Sequence, residues 1–276
     1  MQLDTYKTLA EKEEAFITGY KRIENSDEFD EWYENLSKKH KIFRGLNEAK
    51  YKNYTSAQRH YIENDLEKKG INVNDFIKEE LKQIKQVYKG LLKNYYNLLE
   101  INENDLLYLS FLQHYTGASP LLDFSANVDK ALFFMLDEHD SSENSTNNID
   151  KYFSLYYFDI KRSADGKYDN VVDFDILKGA PSAIVIHKQS YCLNGTKIDL
   201  ANLNFVAQDG RFIFHCKGKE PLQEDISCVD IHKSLATHIK KLIRKEKIFK
   251  KYIYPKEEKV AQSALKEALK KLKNEQ

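Results

Sequence analysis

The spacing of apolar and polar positions divides the chain into a helical first half and a strand-rich second half. Residues 1–39 read as helical. Phe29, Trp32, Tyr33 and Leu36 fall at i, i+3, i+4 and i+7, and Ser26 is placed to cap that helix. HKIFRGL, 40–46, reads as a short strand. Residues 55–69 predict a helix ended at Gly70, and a longer helix over roughly 75–99 carries a stripe of Phe76, Leu81, Ile84, Val87, Leu91, Tyr95 and Leu98. Asn104 or Glu103 opens another helix, stopped by Gly117 and Pro120. LLDF follows as a short apolar run, and NVDKALFFMLDEH predicts one more helix with Ala131, Leu132, Met135 and Leu136 facing inward.

Beyond the polar stretch 140–150, strand-like runs occupy 152–160, 170–177, 182–187, 203–208, 211–216 and 226–231. Residues 234–274 return to helix with a strong excess of lysine. Strands that cluster instead of alternating with helices predict an α+β fold. Its expected form is a helix-rich N-terminal half around one strand, then a mainly antiparallel, split sheet and a basic C-terminal helical segment.

Composition narrows the class. The 276 residues are 41% hydrophobic and 12% aromatic, enough for a real core and too aromatic for disorder. No apolar run reaches the ~18–20 residues of a membrane span, so no membrane partner is expected. The N-terminus has no basic region followed by an apolar one, which predicts a cytoplasmic protein. Lys plus Arg and Asp plus Glu both total 43, so no global field favours nucleic acid or membrane. Only six of those cations are Arg, at 22, 44, 59, 162, 211 and 244. In so Lys-rich a chain, a retained Arg marks places where a planar fork is needed, which directs attention to Arg44 and Arg59. Cys192, Cys216 and Cys228 match no metal spacing; neither a disulfide nor a metal site is expected.

Three segments hold candidate chemistry. Phe43-Arg44-Gly45 ends a predicted strand, where a guanidinium can meet a ligand and the absent Cβ lets a ligand approach; a structural ion pair beside a turn is the plainer reading. In 113–135, Gln113, His114 and Tyr115 end a helix while Asp123 and Ser125 precede the next one, which either could cap, Ser125 being the better placed. The dipole at the helix C-terminus favours a charged His114. A His114–Asp123 hydrolase pair is conceivable, although no nucleophile elbow accompanies it and a buried, hydrogen-bonded His is the plainer account. The third segment, Phe205 to Phe212, puts Gln208 at a sheet rim before a turn, as an ordinary hairpin also would. The basic run from Lys233 to Lys256, with nine Lys/Arg against Glu246, reads either as a polyanion surface or as an amphipathic helix with solvated lysines.

Taken together these segments resemble the FRG-domain family of bacterial and phage-associated proteins, named for its Phe-Arg-Gly tripeptide, here 43–45. Ser56-Ala57-Gln58-Arg59, Gln113-His114-Tyr115 through Leu121-Leu122-Asp123-Phe124-Ser125, Ala131-Leu132-Phe133-Phe134 and Ala207-Gln208-Asp209-Gly210-Arg211-Phe212 carry the likeness. It covers roughly 20–258 and implies one domain over 1–276, with N-terminal helices (1–39) and a basic extension (234–276). The family's usual Arg is replaced by Pro120, and Asn204 stands where an Arg is common. The family's layout is similar to the ADP-ribosyltransferase fold, which implies NAD as co-substrate and a toxin or phage-defence setting. On that likeness Arg44 pairs with the NAD pyrophosphate, with Gly45, Gln113 and Tyr115 beside it. Ser125 shapes the nicotinamide pocket, and Gln208 stands where those enzymes keep a catalytic Glu. A carboxylate stabilises the oxocarbenium formed on bond breaking, which Gln cannot do, so Asp123 or Asp209 supplies the charge or the cleft binds without turnover. The readings carried forward are an ADP-ribosyltransferase-like enzyme with a protein or nucleic-acid acceptor, a nucleotide-, nucleic-acid- or protein-binding module, and a hydrolase using His114 and Asp123.

Overall fold

The computed structural model describes residues 2–16, 19–36, 38, 40–98, 104–115, 117–137, 147–160, 184–186, 190–193, 196–199, 207–256 and 262. The predicted strand at 170–177, most of that at 203–208, half of that at 182–187, and all but residue 262 of the predicted helical segment beyond 256 fall outside them. In chain order the elements are α1 (Leu9–Ala15), β1 (Tyr20–Ile23), α2 (Ser26–Asn35), β2 (Lys41–Leu46), α3 (Ser56–Glu63), α4 (Val73–Leu98), α5 (Asp105–His114), β3 (Leu121–Ser125), α6 (Val128–Leu136), β4 (Tyr152–Asp159), β5 (Ile184–Ile186), β6 (Ser190–Leu193), β7 (Thr196–Asp199), β8 (Gly210–Phe214), β9 (Ile226–His232), α7 (Ala236–Lys245) and α8 (Lys250–Ile253).

Seven strands form one sheet in the order β1-β9-β4-β2-β3-β8-β5, and β6 and β7 make a separate hairpin. Among the described strands only the edge pair β1–β9 is parallel. The fold is α+β, and the sheet is split as expected. β2 pairs with β4 along its whole length and β3 with β8 likewise, but β2 and β3 meet at the single pair Phe43–Ser125. Beyond it the two strands splay apart.

Alternation along the strands fills both faces. Ile42, Tyr156, Phe158, Phe124 and Cys228 pack on the side of α1. Phe43, Phe153, Leu155, Val229 and Ile231 pack against α2, α6 and α7. A third cluster joins α3, α4 and α5 to Leu121, Phe212 and Phe214. Lys12 of α1 is fully buried, where its ammonium donates to the Asp230 carboxylate at 2.7 Å, the Ala49 carbonyl at 2.8 Å and the Ser154 hydroxyl.

Several expectations need correction. The 1–39 region is not all helix, because β1 interrupts it; four residues are too few for a visible alternation, and their partner β9 lies some two hundred residues away. The first 125 residues therefore hold three strands. Asn25, not Ser26, caps α2 through a bond from the Glu28 amide at 3.0 Å. Neither Asp123 nor Ser125 caps α6; Asn127 does, accepting from the Asp129 amide at 2.8 Å. The predicted helix over 75–99 is broken at Val87–Gly90, where Tyr88, Lys89 and Gly90 take left-handed dihedrals. Past the break Leu91, Tyr95 and Leu98 are exposed, so only the first half of the predicted stripe enters the core.

Candidate functional site

The splaying of β2 from β3 opens a pocket of about 350 Å³. It is lined by Phe43, Arg44 and Gly45 from β2, Gln113 and His114 from the end of α5, Asp123 and Phe124 from β3, Phe134 from α6, Gln208 from the turn before β8, and Tyr254 after α8. Arg44, Gly45, Gln113, His114, Asp123 and Gln208 were expected together from sequence and are brought together here. Tyr115 does not line the pocket; it is 60% exposed and packs its ring on Phe111. Ser125 does not line it either. Its hydroxyl donates to the Gln208 carbonyl at 2.6 Å and accepts from the Asn127 amide, so it ties the Gln208 turn to the start of α6.

The tripeptide divides its labour by strand alternation. Phe43 is buried against α6, and Arg44 faces the other way beside its cross-strand partner Tyr156. Gly45 returns to the α6 side. A Cβ there would lie 2.0 Å from the Ala131 carbonyl oxygen and 2.7 Å from the Met135 nitrogen, so its missing side chain serves the close approach of helix to strand. That close approach brings Phe134 to the pocket.

Arg44 bridges the split. One terminal nitrogen donates to the Asp123 carbonyl at 2.8 Å, while its buried Nε has no hydrogen-bond partner. Among the described residues no carboxylate comes within 4 Å of the guanidinium; the Asp123 carboxylate instead accepts from the Gln113 amide at 2.6 Å. Burial, the charge of Arg59 and the weaker opposing pull of Asp123 bring the Arg44 pKa down to about 10. The cation remains charged at neutral pH, but its charged form is poorly compensated. His114 was expected to be raised by its helix end. Burial dominates and lowers it, with Asp123 pulling the other way, which favours the neutral imidazole. Gln208 donates from Nε2 to the Ile253 carbonyl at 3.3 Å, leaving Oε1 without a donor among the described residues. Asp209, left-handed at φ 49°, pairs with Lys130 at 2.6 Å and is not in the lining. Among the described residues of the lining, Asp123 is therefore the carboxylate.

Sequence reasoning missed the aromatic wall. Phe134 and Tyr254 meet edge-to-face at 6.0 Å, and the Tyr254 hydroxyl donates to Asp137 at the end of α6. Phe134 lies in a helix whose inward face was assigned to Ala131, Leu132, Met135 and Leu136, and Tyr254 lies inside the basic run.

The FRG domain matches residues 39–144. An FRG domain is thus present at these residues, which make up less than half of the chain. The match takes in the Phe-Arg-Gly strand, the Gln-His end of α5 and Asp123, while Gln208 and Tyr254 complete the pocket from beyond its boundary. No curated protein and no solved structure matches the chain. Among the described residues no His, Cys, Asp and Glu cluster could hold a metal, and no helix is long and apolar enough to cross a membrane.

Proposed function

We propose that the pocket of this FRG domain binds NAD and cleaves its nicotinamide–ribose bond, as an ADP-ribosyltransferase-like enzyme does. The observation that carries the reading is Arg44, a partly buried guanidinium with an unpaired Nε and no carboxylate within ion-pair distance among the described residues. Such a group is completed by an anion that can accept from its fork, and a pyrophosphate suits it. The Phe134–Tyr254 wall offers flat apolar faces for a heteroaromatic ring. Gln208 has an amide oxygen available for a ribose hydroxyl.

In the reaction, the C1′–N bond breaks heterolytically and its electron pair leaves with neutral nicotinamide. The Asp123 carboxylate, oriented by Gln113, stabilises the oxocarbenium. An acceptor nucleophile then bonds to C1′ and gives up its proton, and His114, neutral through burial, is a base of the pocket able to take it. A toxin or phage-defence setting is the one the family resemblance implies.

Gln208 favours a second reading, a nucleotide-binding module without turnover, because it supplies no negative charge where a catalytic carboxylate is expected. The hydrolase reading has weaker support, since among the described residues no Ser or Cys lines the pocket and an Asp123 oxygen is engaged by Gln113. Calorimetric titration with NAD, followed by assay of nicotinamide release over hours, separates these readings. The transferase reading expects binding with release, both lost in Asp123→Asn as far as release and in Arg44→Met as far as binding. Binding without release leaves the module, and absence of binding removes both.

A further inference from the structure

The surface that leads to Tyr254 carries a dense run of exposed cations. Helix α7 buries Ala236, Ile239 and Ile243 against the core, so Lys240, Lys241, Arg244 and Lys245 turn outward, and Lys247 and Lys251 continue the same exposed run. Lys250 is paired with Asp137 and Lys233 with Glu48, but those six cations have no carboxylate within 4 Å among the described residues. From Lys240 to Lys251 these cations face a single acid in the run, the exposed Glu246, so positive charge predominates along it. Between these cations stand two exposed rings, Phe249 at 40% and Tyr252 at 55%, packed together at 5.9 Å. Two residues past Tyr252, Tyr254 enters the pocket.

We infer that this face binds single-stranded nucleic acid, with the lysines along the backbone phosphates and Phe249 and Tyr252 as a stacking platform for bases. Unpaired cations interleaved with exposed aromatics are what a single strand requires, since every unstacked base offers a π-face. An anionic membrane fits less well. A helix that lies on a bilayer inserts its apolar side, and that side of α7 is already buried in the protein. Duplex nucleic acid has no free base faces for the two rings. The inference rests on the transferase reading only in making the bound strand the acceptor; strand binding itself does not depend on NAD.

The test is fluorescence anisotropy of the whole chain with a labelled oligo-dT and an unstructured RNA of equal length, across a salt series. Hairpin duplex and phosphatidylserine vesicles serve as comparison ligands, and NAD binding is measured on every variant. The expected result is strand binding whose logarithm falls with log salt by about 0.7 per phosphate contacted. Lys241→Glu with Arg244→Glu, and separately Phe249→Ala with Tyr252→Ala, should each weaken it by about tenfold or more. NAD binding should be unchanged in both, since none of the four residues lines the pocket. Strand binding by a protein that binds no NAD leaves this inference standing while the transferase reading falls. No strand binding at low salt, equal affinity in the charge-reversed variant, or duplex or vesicle binding as tight as the strand overturns it.

Discussion

Lys12 and Arg44 both bring a cation to the same face of the sheet, on either side of Tyr156, and the protein surrounds them in opposite ways. The Lys12 ammonium has a carboxylate, a hydroxyl and a carbonyl around it, and lies 5.1 Å from the Tyr156 ring. Asp230 in turn accepts from Ser154 and Tyr20. Burial alone presses the Lys12 pKa down, but Cys228, the Asp230 charge and its hydrogen bond outweigh it, and the net direction is up. At Arg44 burial also comes first, a second arginine adds to it, and the net direction is down. A closed set of partners marks a structural pin, here holding α1 to β4 and β9. An open set at a pocket marks a place for a ligand.

That contrast has measurable consequences, largest first. Lys12→Met leaves Asp230 buried without its counter-charge and should cost about 3–5 kcal/mol in urea unfolding. Gly45→Ala drives a methyl into the Ala131 carbonyl and should cost about 3 kcal/mol, through displacement of α6 and not through any ligand. Arg44→Met, which keeps an unbranched stem but removes the uncompensated charge, should change stability by no more than about 1 kcal/mol in anion-poor buffer. A loss at Arg44 as large as that at Lys12 would break the comparison.

The pH dependence is the smallest effect. Burial holds both His114 and His215 below the usual imidazole range. Below pH ~6.5 the unfolded chain takes up protons that these folded imidazoles refuse, so stability falls as pH falls through that window. Each His contributes at most about 1.4 kcal/mol per pH unit. Chemical denaturation between pH 7.5 and 5.5 should show that slope, reduced in His114→Gln; an unchanged slope would show that His114 is not held neutral.

Much of the pocket was legible because its motifs are local. Arg44 lies in a short strand, Gln113 in the last turn of a helix, Asp123 in the short strand before α6, and Gln208 beside a recognisable turn. What joins distant segments was not. Lys12 and Asp230 are separated by most of the chain, and neither has a neighbour pattern that announces burial. Strand β1 is short and depends on β9 for its hydrogen bonds. The break at Val87–Gly90 was hidden because the apolar spacing runs through it unchanged, although Gly90 offered a hint. Tyr254 was lost in a run whose charge drew attention away from its rings. Gly45 was read as room for a ligand, since a sequence records the lack of a side chain but not which neighbour fills the space.

The most direct test of the account is the thermal stability of wild type and Arg44→Met, with and without saturating ADP-ribose. At about 100 times its dissociation constant the ligand should stabilise wild type by about 2.7 kcal/mol and leave Arg44→Met unchanged. Equal stabilisation of both proteins, or of neither, would contradict the claim that Arg44 is held open for an anion.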